Sequence, residues 1–171
     1  MSGNKSIGVL DKTIQQYRLG ETREVIDTNG WMDVYKYFKV VDDVDIAVGM
    51  DVQHTDTPGY VTPDRTGGSA ILDGAVTAPA GVADAFTGTF DVSEDERFGW
   101  FLISKGSRVV LKTNADGDIA EGDFLMPDAA VDGSCNTMAA GSEQLSYASA
   151  TADDAAVGGA TVAAILERNL G

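Results

Sequence analysis

One cysteine, one histidine and four prolines in 171 residues leave few of the groups from which reactive sites are built. Cys135 has no second thiol to pair with, so no intramolecular disulfide is open to it, and a lone thiol fits a reducing place of synthesis. It is expected to be a small half-buried side chain, because His54 would have to serve as its base. A single histidine also removes the usual zinc sets, and no G-x-S-x-G turn offers a nucleophile for a triad. Hydrophobic runs are short: none approaches the roughly 20 apolar residues of a membrane-spanning helix, and no signal-peptide core follows Met1-Ser2-Gly3-Asn4-Lys5. The expectation is a soluble chain made in the cytoplasm, with no membrane partner. Basic residues are scarce as well, 12 against 27 carboxylates, and the net charge of −15 repels phosphate backbones, so no nucleic-acid partner is expected.

What is present is small and light: 20 glycines, many alanines, and only 8% aromatic residues. The length predicts one domain, able to bury roughly 70% of its unfolded surface without staples. The expected division is an N-terminal arm over 1–30 and a single β domain over 31–171, with a long loop at 53–68 and a small-residue acidic loop at 128–156. Charge is uneven along the chain. Four of the 12 basic residues (Lys5, Lys12, Arg18, Arg23) lie in the first 23 positions, whereas 113–167 holds ten carboxylates and no Lys or Arg.

Helical signals are confined to one short turn over 10–19, with Asp11 as N-cap and Gly20 as stop. Strand signals are many. Residues 31–41 are aromatic and β-branched, 70–76 follow the Gly67-Gly68 turn, and 86–92 alternate with Phe86, Gly88, Phe90 and Val92 on one side. Residues 98–105 are apolar on both sides, as in a central strand. Over 108–113, Val109 and Leu111 point inward while Arg108 and Lys112 point outward, and Lys105-Gly106-Ser107 reads as a hairpin joining this strand to its predecessor. Residues 123–126 and 161–166 complete the set. Short strands with turn signals between them predict an all-β fold, a compact β-sandwich or small β-barrel with an extended N-terminal arm and long loops.

One phrase occurs twice. Asp45-Ile46-Ala47-Val48-Gly49-Met50-Asp51-Val52 resembles Asp118-Ile119-Ala120-Glu121-Gly122-Asp123-Phe124-Leu125, each after a run with a basic residue and two valines, Lys39-Val40-Val41 and Arg108-Val109-Val110. Apolar residues dip into the core and a glycine folds the backbone over before the next strand, so Gly49 and Gly122 are expected at equivalent structural turns.

Chemical readings fail on spacing. A calcium loop with Gly117 as its sixth residue would place Lys112 first and Asp123 twelfth, which is the wrong register, so Asp116-Gly117 and Asp132-Gly133 read as β-turns. Asp42-Asp43-Val44-Asp45 reads as a solvated edge. Glu94, Asp95 and Glu96 are consecutive and so alternate in direction, unlike a facing pair of acid/base carboxylates. Gly67-Gly68-Ser69 lacks the spacing and the lysine of a phosphate loop. No catalytic, metal or cofactor residue is nominated, and none of these groups is expected to be bound.

The segment Phe98-Gly99-Trp100-Phe101-Leu102-Ile103-Ser104-Lys105-Gly106, then Arg108-Val109-Val110-Leu111, then Asp118-Ile119-Ala120-Glu121-Gly122-Asp123-Phe124-Leu125-Met126-Pro127, and finally Val157-Gly158-Gly159 to Glu167, resembles the capsid decoration (cement) proteins of tailed bacteriophages. The resemblance covers roughly the last 75 residues, with 36–52 matching more loosely. It implies a non-enzymatic β protein on the outside of an assembled head, commonly a homotrimer, whose partner is the major capsid protein. Lys5, Ile7, Val9, Leu10, Lys12, Ile14, Tyr17, Arg18 and Arg23 are then the candidate capsid-contact residues of the arm. Phe98, Trp100, Leu102, Val109, Leu111, Ile119 and Leu125 are the expected core. Three other functions fit the chain. The first is a carbohydrate-adhesion module with Trp31, Tyr35, Tyr37 and Tyr60 as a stacking platform, the second a tail or neck component, and the third a small trimeric hydrolase with no nameable nucleophile.

Overall fold

The computed structural model describes residues 13–26, 30–41, 44–64, 79–91, 97–114, 119–138, 140–153 and 161–171. Among the described residues eleven strands carry the fold: β1 (Thr22–Ile26), β2 (Met32–Val40), β3 (Asp51–His54), β4 (Tyr60–Thr62), β5 (Gly81–Val82), β6 (Arg97–Leu102), β7 (Arg108–Lys112), β8 (Phe124–Pro127), β9 (Cys135–Thr137), β10 (Ala148–Ala150) and β11 (Thr161–Leu166). The protein is all-β. Among the described residues one short 3₁₀ turn, Glu143–Leu145, is the only helical segment, and no helix is long and apolar enough to cross a membrane.

These strands form two barrels of the same design. In the first, strands run in the order β2-β4-β3-β5-β6, and β6 pairs back onto β2, which closes the ring. In the second the order is β7-β9-β8-β10-β11, with β11 paired to β7 and a parallel bridge between Thr113 and Cys135 closing the other side. The equivalence holds residue by residue. Lys39 faces Phe98 as Lys112 faces Thr161, and Asp51 faces Val82 as Phe124 faces Ser149. His54 faces Val61 as Pro127 faces Cys135, and the parallel contact of Val40 with Val61 recurs as Thr113 with Cys135. Lys39 therefore corresponds to Lys112, not to Arg108, which corrects the alignment of the two basic-valine runs.

The repeated phrase is the corner of each barrel. Met50 N–H donates to Ala47 O at 3.2 Å, as Asp123 N–H does to Ala120 O at 3.1 Å, and the central glycines have φ of +95° and +93°, a turn geometry that demands glycine. In both corners the fourth residue also turns its side chain back onto the first: Ala47 N–H donates to Met50 Sδ and Ala120 N–H to Asp123 Oδ2. Gly49 N–H donates to Ala83 O while Ala83 N–H donates to Met50 O. Gly122, Ala150 and Asp123 repeat that exchange.

Alternation along the strands fills both interiors, as in any barrel too small to hold a channel. Phe38, Ile46, Val52, Val61 and Phe101 fill the first barrel, and Leu111, Ile119, Leu125, Cys135 and Ala164 stand at the equivalent positions of the second. Gly99 leaves room for a ring, since a Cβ there would run into Phe90 Cζ. Cys135 is fully buried, not half-buried. Phe98, Trp100 and Leu102 are buried on the outer face of the first barrel, whereas Val109, Leu111, Ile119 and Leu125 lie inside the second.

Several expected elements take another form. The stretch 53–68 holds the β3–β4 hairpin, closed by Thr55 N–H on Tyr60 O at 3.1 Å. Within 128–156 lie β9 and β10. Residues 86–91 form no strand: the Asp84 carboxylate accepts from Phe86 N–H (2.9 Å) and Thr87 N–H (3.0 Å), closing a turn, and Phe90 makes one isolated bridge to Ile46. Lys105-Gly106-Ser107 is no hairpin, because β6 and β7 belong to different barrels and this turn carries the chain from one to the other. The helical turn over 10–19 is absent from its described part, residues 13–19. The strand at 70–76, Asp42-Asp43, Glu94-Asp95-Glu96 and Asp116-Gly117 lie outside the described residues.

The barrels are joined by polar contacts as well as packing. Lys112 N–H donates to Gly49 O at 2.8 Å, Asp51 N–H to Gly133 O at 3.0 Å, and the buried Tyr147 hydroxyl to Asp51 Oδ2 at 2.8 Å. The corner of one barrel is thereby seated on the first strand of the other.

Candidate interaction surface

The outer face of β2 and β6 is aromatic, and the segment preceding β2 covers it. Tyr17 packs edge-on against Tyr37 at 5.3 Å and tilted against Trp100 at 5.1 Å. The Arg23 guanidinium lies 4.1 Å over the Tyr17 ring and 5.0 Å over that of Trp100. Tyr37 N–H donates to Glu21 O, Gly20 N–H to Tyr37 O, and β1 continues the pairing along β2 from Thr22 against Lys36 to Ile26 against Met32. The boundary drawn at residue 30 thus runs through an antiparallel pair of strands. Of the arm residues, Tyr17 and Arg23 are half-buried in this cover, Ile14 and Arg18 are exposed, and Lys5, Ile7, Val9, Leu10 and Lys12 lie outside the described residues.

The equivalent face of the second barrel is bare among the described residues. Val110, on the site that Tyr37 holds in the first barrel, is 52% exposed, and Ala163, on the site of Trp100, is exposed too. Beside them a groove of about 670 Å³ runs between the barrels, with Val48 and Ala85 on one wall and Arg108, Val110, Ala163 and Ile165 on the other. A second groove of about 360 Å³ continues from Arg108 and Ile165 to Trp31 and Met32. Trp31 is 63% exposed and Ile26, opposite Met32, 71%. The result is a strip of exposed apolar side chains flanked by two exposed cations, Lys105 and Arg108, on a chain of net charge −15. Exposed apolar strips rimmed by charge mark binding surfaces.

The sequence reading places the contact in the arm and, without naming residues, on the rims of the β domain; it does not single out this strip. Its signal is the order Arg108-Val109-Val110-Leu111-Lys112: once Val109 and Leu111 point inward, Val110 must point outward between two cations.

Groups with chemical potential are scattered. His54 stands edge-on to Phe38 at 5.5 Å, and burial, followed by the neighbouring Lys36 charge, pulls its pKa below the ordinary histidine value. Cys135 is inside the other barrel, so the two form no thiolate–imidazole pair. Burial raises the Tyr37 hydroxyl pKa, against a hydrogen bond from Gln16 N–H that lowers it. Among the described residues no group of three or more His, Cys, Asp or Glu is placed to hold a metal ion. Tyr35 and Tyr37 are 4% and 1% exposed, so the four aromatics proposed as a sugar platform do not share a surface.

The class that this fold defines is an all-β protein of two tandem closed barrels with matching strand order and register. No family model and no curated protein matches the chain. Among solved structures it is similar to the head fiber gp8.5 N base of bacteriophage phi29, with a TM-score of 0.49 and 15% identity over 80% of this chain and 98% of that one.

Proposed function

We propose that the chain is a virion structural protein of the decoration type, which binds the outer surface of a phage head and stabilises contacts between coat subunits without catalysis. The observation that carries this reading is the apolar strip from Trp31 to Val110 with its two cations, on a body whose interiors are filled by side chains. Of the motifs that resemble decoration proteins, the Lys105-Gly106 turn, β7 and β11 line the strip. A partner made of repeated coat subunits presents many equivalent sites, so contacts that are weak singly add up when the bound protein is a homotrimer. The surface charge keeps the free protein soluble until it finds the shell. Synthesis in the host cytoplasm and residence on the virion exterior follow from that role.

The test is co-sedimentation of the purified chain with empty heads of its own virus. Saturable binding to heads is expected, and no binding at micromolar concentrations overturns the proposal. Binding to tails instead of heads moves the protein to a tail or neck role.

A further inference from the structure

The tandem design leaves one position filled in the first barrel and open in the second. In an antiparallel pair, alternate residues direct both backbone groups toward the partner strand and the residues between them direct theirs away. Leu166 N–H donates to Ser107 O, so Ser107, Val109 and Leu111 bond to β11, while Arg108, Val110 and Lys112 turn theirs to the opposite edge. Lys112 N–H is taken by Gly49 O. The N–H and C=O of Arg108 and Val110 meet no backbone partner among the described residues, and both residues are exposed. In the first barrel the equivalent groups, on Tyr35 and Tyr37, are paired with the segment Gly20–Arg23 that leads into and begins β1. The same strand position therefore has a bound strand in one barrel and an unfilled edge in the other.

We infer that the β7 edge at Arg108–Val110 is a strand-addition site, which takes an extended segment of the coat protein antiparallel to β7, in the place that β1 holds beside β2. This deepens the decoration reading and rests on it. A free sheet edge is a template for another chain, and main-chain pairing supplies affinity while alternate side chains supply selectivity. The Gly49 corner closes the Lys112 end of this edge, and beside it a groove lies over the outer face of β7 and β11, between Val48 and Ala85 of the first barrel and Thr151 of the second. That groove, of about 670 Å³, leaves room over Val110 and Ala163 for the side chains of a lone extended strand paired to the edge, whereas the same edge of a second copy arrives with its own first barrel beside it. The incoming segment places apolar side chains over Val110 and Ala163 and a carboxylate against Arg108, next to Lys105.

Val110→Pro tests this cleanly, because the N–H it deletes is not part of the β7–β11 ladder and proline is tolerated where a strand's N–H faces outward. The variant should keep its circular dichroism and its melting midpoint while binding empty heads at least tenfold more weakly. In parallel, hydrogen exchange on the unaltered chain should show the Arg108 and Val110 amides exchanging fast when free and slowing at least tenfold on heads, with Val109 and Leu111 slow throughout. Equal head binding by both proteins, or fast exchange of Arg108 and Val110 in the bound state, overturns the strand-addition site and leaves the decoration role standing. Loss of self-association in Val110→Pro with head binding intact gives the edge to a second copy and also overturns it. Failure of the unaltered chain to bind heads overturns both readings.

Discussion

Alanine at the two corner glycines separates what the corners share from what only one of them does. Gly49 and Gly122 have nearly the same φ, +95° and +93°, so a Cβ is strained at both by about 1–2 kcal/mol. Both substitutions also stiffen the unfolded chain, and that gain of about 0.4–1 kcal/mol cancels between them. Surroundings then decide the difference. An added Cβ at Gly122 meets nothing within 4 Å, whereas at Gly49 it lies 3.0 Å from Lys112 N and 3.0 Å from Val110 O, backbone atoms of the other barrel. Backbone cannot swing aside as a side chain can, so the overpacking adds about 1–3 kcal/mol at Gly49. Gly122→Ala should therefore lose about 1 kcal/mol and Gly49→Ala about 2–4 kcal/mol in urea titrations with unchanged slope. At about 2–4 °C per kcal/mol for a chain of this size, the melting midpoints should separate by several degrees. Equal losses would refute the seating of the Gly49 corner on β7.

Arg23→Ala should lose about 1 kcal/mol and alter Trp100 fluorescence, with Arg23→Lys retaining part of the stability; an unchanged urea midpoint would contradict the cover over the aromatic face. Leu125→Ala, inside the second barrel, should lose about 2–5 kcal/mol, while Val110→Ala on the open face should stay within about 0.5 kcal/mol in the same titration. His54 has its folded-state pKa below the unfolded value of about 6.5, so as pH falls the unfolded chain takes up the proton first. Stability from this group is thus full above about pH 6.5 and declines below it, and His54→Gln should flatten that part of a stability-against-pH curve. Deleting 1–26 removes Tyr17, Arg23 and β1 and should lower the melting midpoint and expose Trp100 to quenchers; an unchanged midpoint would contradict the cover.

The parts of the fold legible in the sequence are those whose side chains do the same work locally and globally. β2, β6, β7 and β11 are rich in aromatic and β-branched residues, and the Ile-Ala-x-Gly corners announce themselves by repetition. β9 and β10, Cys-Asn-Thr and Ala-Ser-Ala, carry little intrinsic strand preference, and the tight second barrel needs small residues there because larger neighbours fill it. β3 and β4 are hidden by Gln53, His54, Pro58 and Gly59, which look like loop: Gln53 is buried once the ring closes and His54 half-buried, while Pro58 and Gly59 form the turn between the two strands. The alternating 86–92 segment misleads for the opposite reason: Asp84 captures two backbone N–H groups that a strand would have used. Beyond the corners the duplication leaves little trace in the sequence, because equivalent interior positions differ in size, Phe38 with Leu111 and Phe101 with Ala164, each barrel being filled by its own combination. The β7 edge, unpaired at Arg108 and Val110 among the described residues, leaves no residue pattern of its own and stands out only against β2, where the same position is filled.

The proposed work of the chain is to hold a shell together. Its direct measure is the survival of heads under graded heating with and without saturating amounts of the purified chain, scored as the fraction still sealed against nuclease. The decorated heads should rupture several degrees higher than bare ones, by an amount that tracks occupancy. Full occupancy with an unchanged rupture temperature would contradict it.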